Sequence, residues 1–332
     1  MKFNRVLITG GLGFIGSHLV KGLLGEAKQI WVIDDCTNNV CHVEDFEVSY
    51  RTLLAQLVGM YAADDDLSKR IIFAKSDFTY RTILSRVSSG FFDKVFHLAA
   101  KPRVQWSVEN PVISTNENFN KSIVLAKACS VGKTRLIFSS TAAVYDSNVT
   151  IPTIEDDQIY CNPISPYGMA KYATEKYLRL FQSLYNLDWV ALRYFNVYGP
   201  KQSGNSPYAT AVAAWCSKAL ANESLRSDGD GTQTRDMIHV DDVVSANMCV
   251  ASAAIGSSEA RIFNVGSGKS YSNNQILEMF ASRGYKNVVD APERIGDIKH
   301  TLADIGKLRG LGWEPKIGFS EGLESVMNYW EL

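Results

Sequence analysis

Residues 165–177 read SPYGMAKYATEKY, a stretch that begins like a loop and continues like a helix. On a helix, Tyr167 and Lys171 share one face just after Pro166, so the lysine ammonium would lie close to the phenol ring. The pair could be an ordinary contact on a helix surface. It could also stabilise a phenolate near neutral pH and so provide a base, and the surrounding elements must decide between the two.

The elements that would position this pair are short β-branched runs alternating with helical patterns. The runs are RVLITG, IWVIDD, RIIFAKSD, KVFHLAA, RLIFSST and LDWVALRYFN, with amphipathic segments such as 17–24 and 118–130 between them. Continuous apolar strands separated by helices indicate a parallel sheet covered on both faces. We therefore predict an α/β protein with a Rossmann-type doubly wound parallel sheet and a smaller, interleaved C-terminal α/β region.

A second group of residues suited to chemistry follows the first strand. VLITGGLGFIGSHLV gives a strand, then Gly10, Gly13 and Gly16, then a helix. Glycines there let the backbone approach a pyrophosphate at a helix N-terminus, where unpaired N–H groups favour negative charge. Asp34 ends the next strand, near the separation expected for a carboxylate that binds the adenosine ribose hydroxyls, and an acid there favours NAD over NADP. A purely structural turn with a capping Asp is the alternative.

Composition restricts the partners. The chain has 332 residues, 46% of them hydrophobic, and a formal net charge of −1, which gives no electrostatic reason to expect nucleic acid or an anionic membrane as a partner. No apolar run approaches the roughly 18–20 residues of a membrane helix. The start, MKFNRVLITGG, lacks a signal-peptide pattern, and the six cysteines are scattered without metal-type pairing. We expect a reduced, cytoplasmic protein without a metal site.

The glycine spacing G-x-x-G-x-x-G and its flanking strand resemble the short-chain dehydrogenase/reductase superfamily, in its extended branch acting on nucleotide-activated sugars. Further motifs of that branch follow in the expected order: SDF (76–78), HLAA (97–100), SSTAAVY (139–145), SPYGMAK (165–171), RYFNVYGP (193–200), RDMIHVDDV (235–243) and RIGD (294–297). The resemblance therefore covers nearly the whole chain. The residues that it implies for NAD binding are Gly10, Gly13, Phe14, Ile15, Gly16, Asp34, Asp35, Asp77, Phe78, Leu98, Ala99, Ala100, Asn116, Tyr167, Lys171 and Tyr194.

The same resemblance implies that Tyr167, Lys171 and Thr141 are catalytic. Tyrosine has an unperturbed pKa of about 10, and lowering it by about three units requires roughly 4 kcal/mol. Lys171 and the positive nicotinamide ring would both favour the phenolate, and Lys171 would also hold the nicotinamide ribose. Tyr167 would take the proton from a sugar hydroxyl while NAD oxidises the same carbon. His97, by contrast, is expected to fill a core position.

Two alanines follow Thr141 where related dehydratases and decarboxylases carry acids. Ala142 and Ala143 provide no general acid or base for elimination. The simplest chemistry left is 4-epimerisation, in which C4 becomes a ketone, the 4-keto sugar turns about its diphosphate bond, and the electrons return to the opposite face. A reductase of a 4-keto sugar could use the same three residues, although NADP would be more usual there.

For the substrate, the resemblance implies a UDP-sugar. Asn196, Arg235 and Arg294 would contact the diphosphate, because the planar guanidinium binds phosphate oxygens in two places. Thr301 falls at the family's size gate, where a small residue leaves room for a 2-acetamido group. We therefore favour UDP-N-acetylglucosamine and UDP-N-acetylgalactosamine. Basic residues beside the expected sugar pocket, Lys101 and Arg103, keep a uronic acid open, since Arg103 could meet a carboxylate on C6 or be solvated.

Domain limits and assembly are also predicted by resemblance. The NAD-binding domain would comprise residues 1–196 and about 235–267, and the substrate domain about 197–234 and 268–332. The long connection from Cys36 to Arg70 would hold an extra helix around residues 46–59. A homodimer would form through helices in 118–130 and 167–185.

Overall fold

The computed structural model describes residues 1–37, 69–145, 150–156, 160–204, 210–256, 261–292 and 298–332. The helix predicted at 46–59 lies outside these residues. The strands are β1 (Phe3–Thr9), β2 (Ala27–Asp34), β3 (Ile71–Lys75), β4 (Lys94–His97), β5 (Arg135–Thr141), β6 (Trp189–Tyr194), β7 (Asn196–Tyr198), β8 (Leu225–Asp228), β9 (Thr234–His239), β10 (Ile262–Val265), β11 (Ser270–Ser272) and β12 (Val288–Ala291).

Helices connect most of these strands. The α-helices are α1 (Phe14–Leu23), α2 (Arg81–Ser88), α3 (Val104–Glu109), α4 (Pro111–Thr115), α5 (Lys121–Gly132), α6 (Pro166–Tyr185), α7 (Ala211–Leu220), α8 (Val240–Ser252), α9 (Asn273–Ser282), α10 (Gly306–Arg309) and α11 (Phe319–Tyr329). Two short segments differ from the α-helix: a π-helical turn at Asn116–Asn120, which joins α4 to α5, and a 3-10 turn at Ala142–Val144 after β5.

The predicted doubly wound parallel sheet is confirmed. Seven strands pair in the order β10-β6-β5-β4-β1-β2-β3, and every pair runs parallel. The strands are apolar because both faces are covered: α1 and α8 contribute to one core cluster and α2, α5 and α6 to the other. The strand order reverses between β1 and β4, and ligands of such sheets bind outside the carboxyl ends of the strands at that point.

The C-terminal region forms two smaller sheets. One has the order β11-β9-β7 and the other pairs β12 with β8, over a third core cluster that includes Trp215, Phe280 and Phe319. Strand β10 joins the large sheet and α8 packs against α1, as the predicted interleaving requires. Strand β9 (Thr234–His239), near the start of the second predicted segment of the NAD-binding domain, pairs with β11 and β7 in the small sheet.

Candidate functional site

The glycine loop after β1 brings three pieces of backbone together. Gly10 has φ +72°, and a Cβ there would lie 2.6 Å from the Ala99 nitrogen, so the turn needs glycine and lies directly against the loop that follows β4. A Cβ on Gly16 would lie 2.1 Å from the Gly10 carbonyl oxygen. Leu98 and Ala99 are held in this place by hydrogen bonds from their N–H groups to the Thr9 carbonyl (3.0 Å) and hydroxyl (3.4 Å).

The start of α1 fits an anion. Gly13 precedes the helix in extended conformation, and Phe14 and Ile15 begin it. In the part of the chain that the structure describes, no side chain caps this start and no acidic residue occupies its first turn. The first N–H groups of the helix therefore remain available, and the helix dipole favours negative charge there. Together with the glycine loop, this is a cradle suited to a pyrophosphate.

Asp34 and Asp35 lie where β2 ends, beside that cradle. The buried Asp34 carboxylate accepts hydrogen bonds from the Leu12 and Cys36 N–H groups, both at 2.9 Å. Burial raises its pKa, and those two N–H groups oppose the rise. Asp35 is exposed. Lys101, expected beside the sugar, instead donates to the Thr37 hydroxyl and lies 3.8 Å from Asp35. Its ammonium therefore lies beside the end of β2, at one end of the crevice that runs along the carboxyl ends of the strands.

Asp77, just after β3, is fixed by neighbours. Its Oδ1 accepts hydrogen bonds from the Thr79 N–H (2.8 Å) and hydroxyl (2.7 Å), and its Oδ2 lies 2.6 Å from Lys121 Nζ. Burial works to raise the pKa of Asp77, but the bonds from Lys121 and Thr79 outweigh it and the pKa is lowered. The adjacent Phe78 is buried, with its ring 4.8 Å from that of His97, so its side chain packs in the core.

The asparagine that lies against the loop after β4 is Asn118, whereas Asn116, which the resemblance implies for NAD binding, lies at the surface. Asn116 is exposed and its side chain bonds those of Glu117 and Asn120. Asn118 is fully buried; its Oδ1 accepts the Lys101 N–H at 2.9 Å and its amide donates to the Lys101 carbonyl at 3.2 Å. The π turn explains why Asn118 and not Asn116 is buried, because it adds a residue to the helix and changes which side chain faces inward.

The predicted catalytic residues come together at the end of β5. Thr141 Oγ1 accepts the Ala143 N–H at 3.1 Å and shares a hydrogen bond with the Tyr167 side chain. Tyr167 is buried near the start of α6, and its N–H donates to Ser107 Oγ on α3 at 3.2 Å. Burial raises the pKa of Tyr167 to about 12, and the Thr141 bond opposes that rise.

Lys171 is fully buried one turn further along α6. Its Nζ donates to the Ser139 carbonyl at 2.9 Å and lies 4.6 Å from the centre of the Phe138 ring. Burial lowers its pKa to about 7, with the negative charge of Glu175 opposing the shift. In the protein groups alone the pKa of Tyr167 is therefore raised, because burial disfavours the phenolate, and the joint effect of Lys171 and the nicotinamide ring stays a prediction.

His97 fills a core position below this site. Its Nδ1 lies 2.7 Å from Thr9 Oγ1 and its Nε2 lies 2.9 Å from Ser122 Oγ. Ser122 donates its own proton to the Asn118 carbonyl, so Nε2 must carry the imidazole proton and Nδ1 must accept from Thr9. Burial, reinforced by the nearby charge of Lys171, lowers the pKa of His97 to about 3. The ring is neutral at pH 7.

Tyr194, predicted to touch the cofactor, lies in the core. Its hydroxyl is 3.1 Å from Ser139 Oγ and accepts a 2.8 Å hydrogen bond from the Asn247 amide of α8. Burial raises its pKa to about 12. The hydroxyl is committed to these two partners, so the side chain links β5 and β6 to α8.

On the substrate side, three of the predicted residues lie on neighbouring segments. Asn196 starts β7 and pairs with β9, which carries Arg235. The Arg235 guanidinium donates to the Thr234 carbonyl at 3.0 Å. Thr301 runs beside the same strand, donating its N–H to the Thr234 carbonyl and accepting the Asp236 N–H through its hydroxyl, both at 3.1 Å. Arg294 lies outside the described residues.

Arg103 begins α3, one turn before the serine that holds Tyr167. Its carbonyl accepts the Ser107 N–H at 2.9 Å. Ser107 was missed in the sequence because no spacing connects it to Tyr167. Asp236 was missed too: this buried carboxylate accepts N–H bonds from Ser267, Gly268 and Ala303 and joins the loops around Thr301.

Other kinds of site find no support in the described residues. None of their helices is long and apolar enough to span a bilayer. Within the same ranges, no three His, Cys, Asp or Glu side chains are grouped in a way that could hold a metal ion.

Comparisons with known proteins agree with this geometry. The model of the NAD dependent epimerase/dehydratase family matches residues 6–266. The structure of UDP-N-acetylglucosamine 4-epimerase from Methanobrevibacter ruminantium M1, in complex with UDP-N-acetylmuramic acid, is similar with a TM-score of 0.86 and 34% identity, over 100% of this chain and 99% of that one. UDP-glucose 4-epimerase of Mycolicibacterium smegmatis is 31% identical over 98% of both chains. UDP-glucuronate 4-epimerase of Thermodesulfobacterium geofontis is 29% identical over 97% of this chain and 95% of its own.

These similarities extend over nearly the full length of the chain, including the glycine loop, β5 and α6. They confirm the resemblance and the requirement for NAD that the motifs predicted. The chain belongs to the NAD dependent epimerase/dehydratase family, within the short-chain dehydrogenase/reductase type.

Proposed function

We propose that this protein is a UDP-sugar 4-epimerase that interconverts UDP-N-acetylglucosamine and UDP-N-acetylgalactosamine through a transient 4-keto sugar. The observation that carries the proposal is the assembly of Thr141, Tyr167 and Lys171 at the end of β5, followed directly by Ala142 and Ala143. The set supplies a proton acceptor and its partners, whereas the two alanines supply no acid or base for elimination. Similarity to 4-epimerases of three UDP-sugars supports the reaction type.

The roles follow from the geometry. Bound NAD supplies a reversible two-electron oxidation at C4, and its positive ring favours the phenolate form of Tyr167. Tyr167, held through its own N–H by Ser107, accepts the proton of the C4 hydroxyl, and Thr141 stabilises the oxygen that forms. Lys171, anchored on the Ser139 carbonyl, would hold the nicotinamide ribose and favour the phenolate form of Tyr167. Because the electrons return to the same sugar, NAD is retained and not consumed.

The proposed cofactor contacts follow the crevice. The Gly10–Gly16 loop and the start of α1 would bind the pyrophosphate. Asp34 would bind the adenosine ribose, and Asp77 the adenine. We replace Asn116 by Asn118 as the asparagine that shapes the loop beside the cofactor, because only Asn118 is buried against that loop.

The sugar assignment rests on Thr301. Its hydroxyl accepts the Asp236 N–H, which holds this small side chain against β9 beside Arg235. A tyrosine there would occupy far more volume, so threonine leaves space for a 2-acetamido group. The similar structure of a UDP-N-acetylglucosamine 4-epimerase supports this choice. We propose Asn196, Arg235 and Arg294 as diphosphate ligands.

A UDP-uronic acid is the second candidate substrate. Arg103 stands one helical turn from the serine that holds Tyr167, so its guanidinium could meet a carboxylate on C6. Similarity to a UDP-glucuronate 4-epimerase supports this alternative.

We also propose a homodimer formed by α5 and α6. These helices pack on each other and present large apolar side chains to solvent, among them Val124, Val131, Leu180 and Leu184, the last 59% exposed. A second copy of the same face would cover them. Dimers should appear in sedimentation measurements, and Leu180→Glu with Leu184→Glu should give monomers. Two interleaved domains, residues 1–196 with about 235–267 and about 197–234 with 268–332, and a cytoplasmic location, inferred from the scattered cysteines, complete the proposal.

The decisive experiment offers purified protein UDP-glucose, UDP-N-acetylglucosamine and UDP-glucuronate in turn, without added NAD, and separates the products. We expect bound NAD in the protein and the fastest interconversion with the N-acetylhexosamine pair. Fastest turnover of UDP-glucuronate would favour the alternative. Loss of water from the sugar, or stoichiometric consumption of added NADH or NADPH, would overturn the proposal.

A further inference from the structure

The catalytic helix carries a buried acid that the reaction does not use. Glu175 lies one turn beyond Lys171 on α6, and its side chain and that of Arg193 on β6 are both 0% exposed. Its Oε2 lies 2.5 Å from Arg193 Nη2, and its Oε1 accepts a hydrogen bond from Arg193 Nε at 3.0 Å. Such a pair costs desolvation energy, so a buried ion pair by itself is weak support for a stabilising role.

A third hydrogen bond connects this ion pair to the strand that carries Thr141. Ser140 Oγ donates to Glu175 Oε1 at 2.5 Å. Ser140 stands between Ser139, whose carbonyl binds Lys171, and Thr141, which bonds Tyr167. Three consecutive residues of β5 are therefore bonded to three successive turns of α6. Glu175 forms the last and deepest of these connections.

The same pair is linked to the edge strand β10. Arg193 Nη1 donates to the Tyr145 hydroxyl at 3.1 Å, and that hydroxyl donates to Asn264 Oδ1 at 2.6 Å. The Asn264 amide then donates to the carbonyls of Thr153 (2.8 Å) and Asp304 (3.0 Å). This outer branch ends on the carbonyls of Thr153 and Asp304, and its hydrogen bonds named here involve neither Lys171 nor Ser139, Ser140 or Thr141.

We infer that Glu175 is a positioning residue: it fixes α6 on β5 in the register that the reaction uses and keeps a negative charge behind Lys171. The inference rests on the proposed epimerase function. The groups that face Glu175 and Lys171 are Arg193 from β6, His97 from β4, and Tyr167 on the same helix. His97 is neutral at pH 7, so Glu175 is the group that favours the charged form of Lys171.

The test compares Glu175→Gln with Tyr145→Phe, which breaks the outer branch of the same network and leaves the ion pair intact. In Glu175→Gln we expect kcat to fall roughly tenfold with the substrate KM unchanged, because the reacting groups are displaced. The alkaline limb of the pH profile should move down by about one unit, because Lys171 loses its proton more easily. Tyr145→Phe should lower Tm only, and Glu175→Asp should keep the wild-type limb.

A second readout does not depend on turnover. The side-chain nitrogen of Lys171, assigned by comparison with Lys171→Met, is titrated by NMR in the NAD-loaded protein, and its pKa should fall in Glu175→Gln. If that variant does not fold because Arg193 is left unpaired, Glu175→Gln with Arg193→Met removes both charges and should show a smaller fall in the same direction, because the loss of the Arg193 cation offsets part of it. The inference would be overturned if Glu175→Gln and Tyr145→Phe had the same kcat and pH profile and the pKa of Lys171 stayed at its wild-type value. A wild-type protein without epimerase activity would refute the proposed function, and the titration would still decide the role of Glu175.

Discussion

The lysines at the two ends of the cofactor crevice differ in burial and in their partners. At the β5 end, Lys171 is 1% exposed and its ammonium donates to the Ser139 backbone carbonyl. At the β2–β3 end, Lys101 and Lys121 are partly exposed and pair with the carboxylates of Asp35 and Asp77. Burial perturbs the pKa of the first strongly, whereas solvent screens the other two pairs. The difference separates the end that carries the proposed proton acceptor from the end that carries the proposed adenosine contacts.

The strongest test of this contrast is Tyr167→Phe. Removing the hydroxyl eliminates the proton acceptor, and we expect turnover to fall about a thousandfold, or roughly 4 kcal/mol of transition-state stabilisation. Binding of NAD and of the UDP-sugar should remain near wild type in calorimetry, because the ring still fills its place. Turnover within a factor of a few of wild type would mean that another group is the base.

The next effect concerns acid stability at the same end. The pKa of His97 is lowered to about 3 in the folded protein, so the unfolded chain binds one more proton than the folded one between about pH 6.5 and pH 3. Folding stability therefore decreases as pH falls through that window, by about 1.4 kcal/mol per unit from this residue. Denaturant unfolding at several pH values measures the slope. His97→Gln should show a shallower slope, and parallel slopes would assign the acid sensitivity to other groups.

A smaller effect is expected at the sugar. Thr301→Tyr should lower kcat/KM for UDP-N-acetylglucosamine roughly tenfold or more and spare UDP-glucose, because the larger ring would take the acetamido space. Thr301→Ser is the matched control, since it keeps the hydroxyl that accepts the Asp236 N–H. Equal losses for both sugars in Thr301→Tyr would point to a displaced β9 and not to a size gate.

The smallest effects belong to the β2–β3 end. Lys121→Ala removes the partner of Asp77, and because that lysine is partly exposed we expect the affinity for NAD to change only a few-fold, within about 1 kcal/mol. Lys101→Ala should behave similarly. Fluorescence titration with NAD at two salt concentrations measures both. A hundredfold loss in either variant would contradict the contrast between the two ends.

Much of the site follows from the sequence because its parts are local. Spacing within one strand–turn–helix unit defines the glycine loop and Asp34, and spacing within one helix defines the Tyr167–Lys171 pair. The order of the strands then predicts that all of them lie at the same edge of the sheet. Side-chain direction is less local. Lys101 turns to Asp35, and Tyr194 turns to Ser139 and Asn247, for reasons set by distant segments.

Burial is the other quantity that the sequence does not contain. The proximity of Lys171 to Tyr167 suggests a lowered tyrosine pKa, yet both groups lie in an interior that disfavours charge. The Glu175–Arg193 pair shows the same limit, because its partners are eighteen residues apart on a helix and a strand. Only the folded arrangement reveals that this pair stands behind the reacting groups.

The π turn at Asn116–Asn120 has a consequence for how the chain can change. Its extra residue adds about 100° of rotation between α4 and α5, so side chains before and after it follow different helical phases. Deleting Glu117 alone would restore a regular helix and swing Asn118 away from the Lys101 loop. The number of residues in this segment therefore determines the position of Asn118 as much as its side chains do.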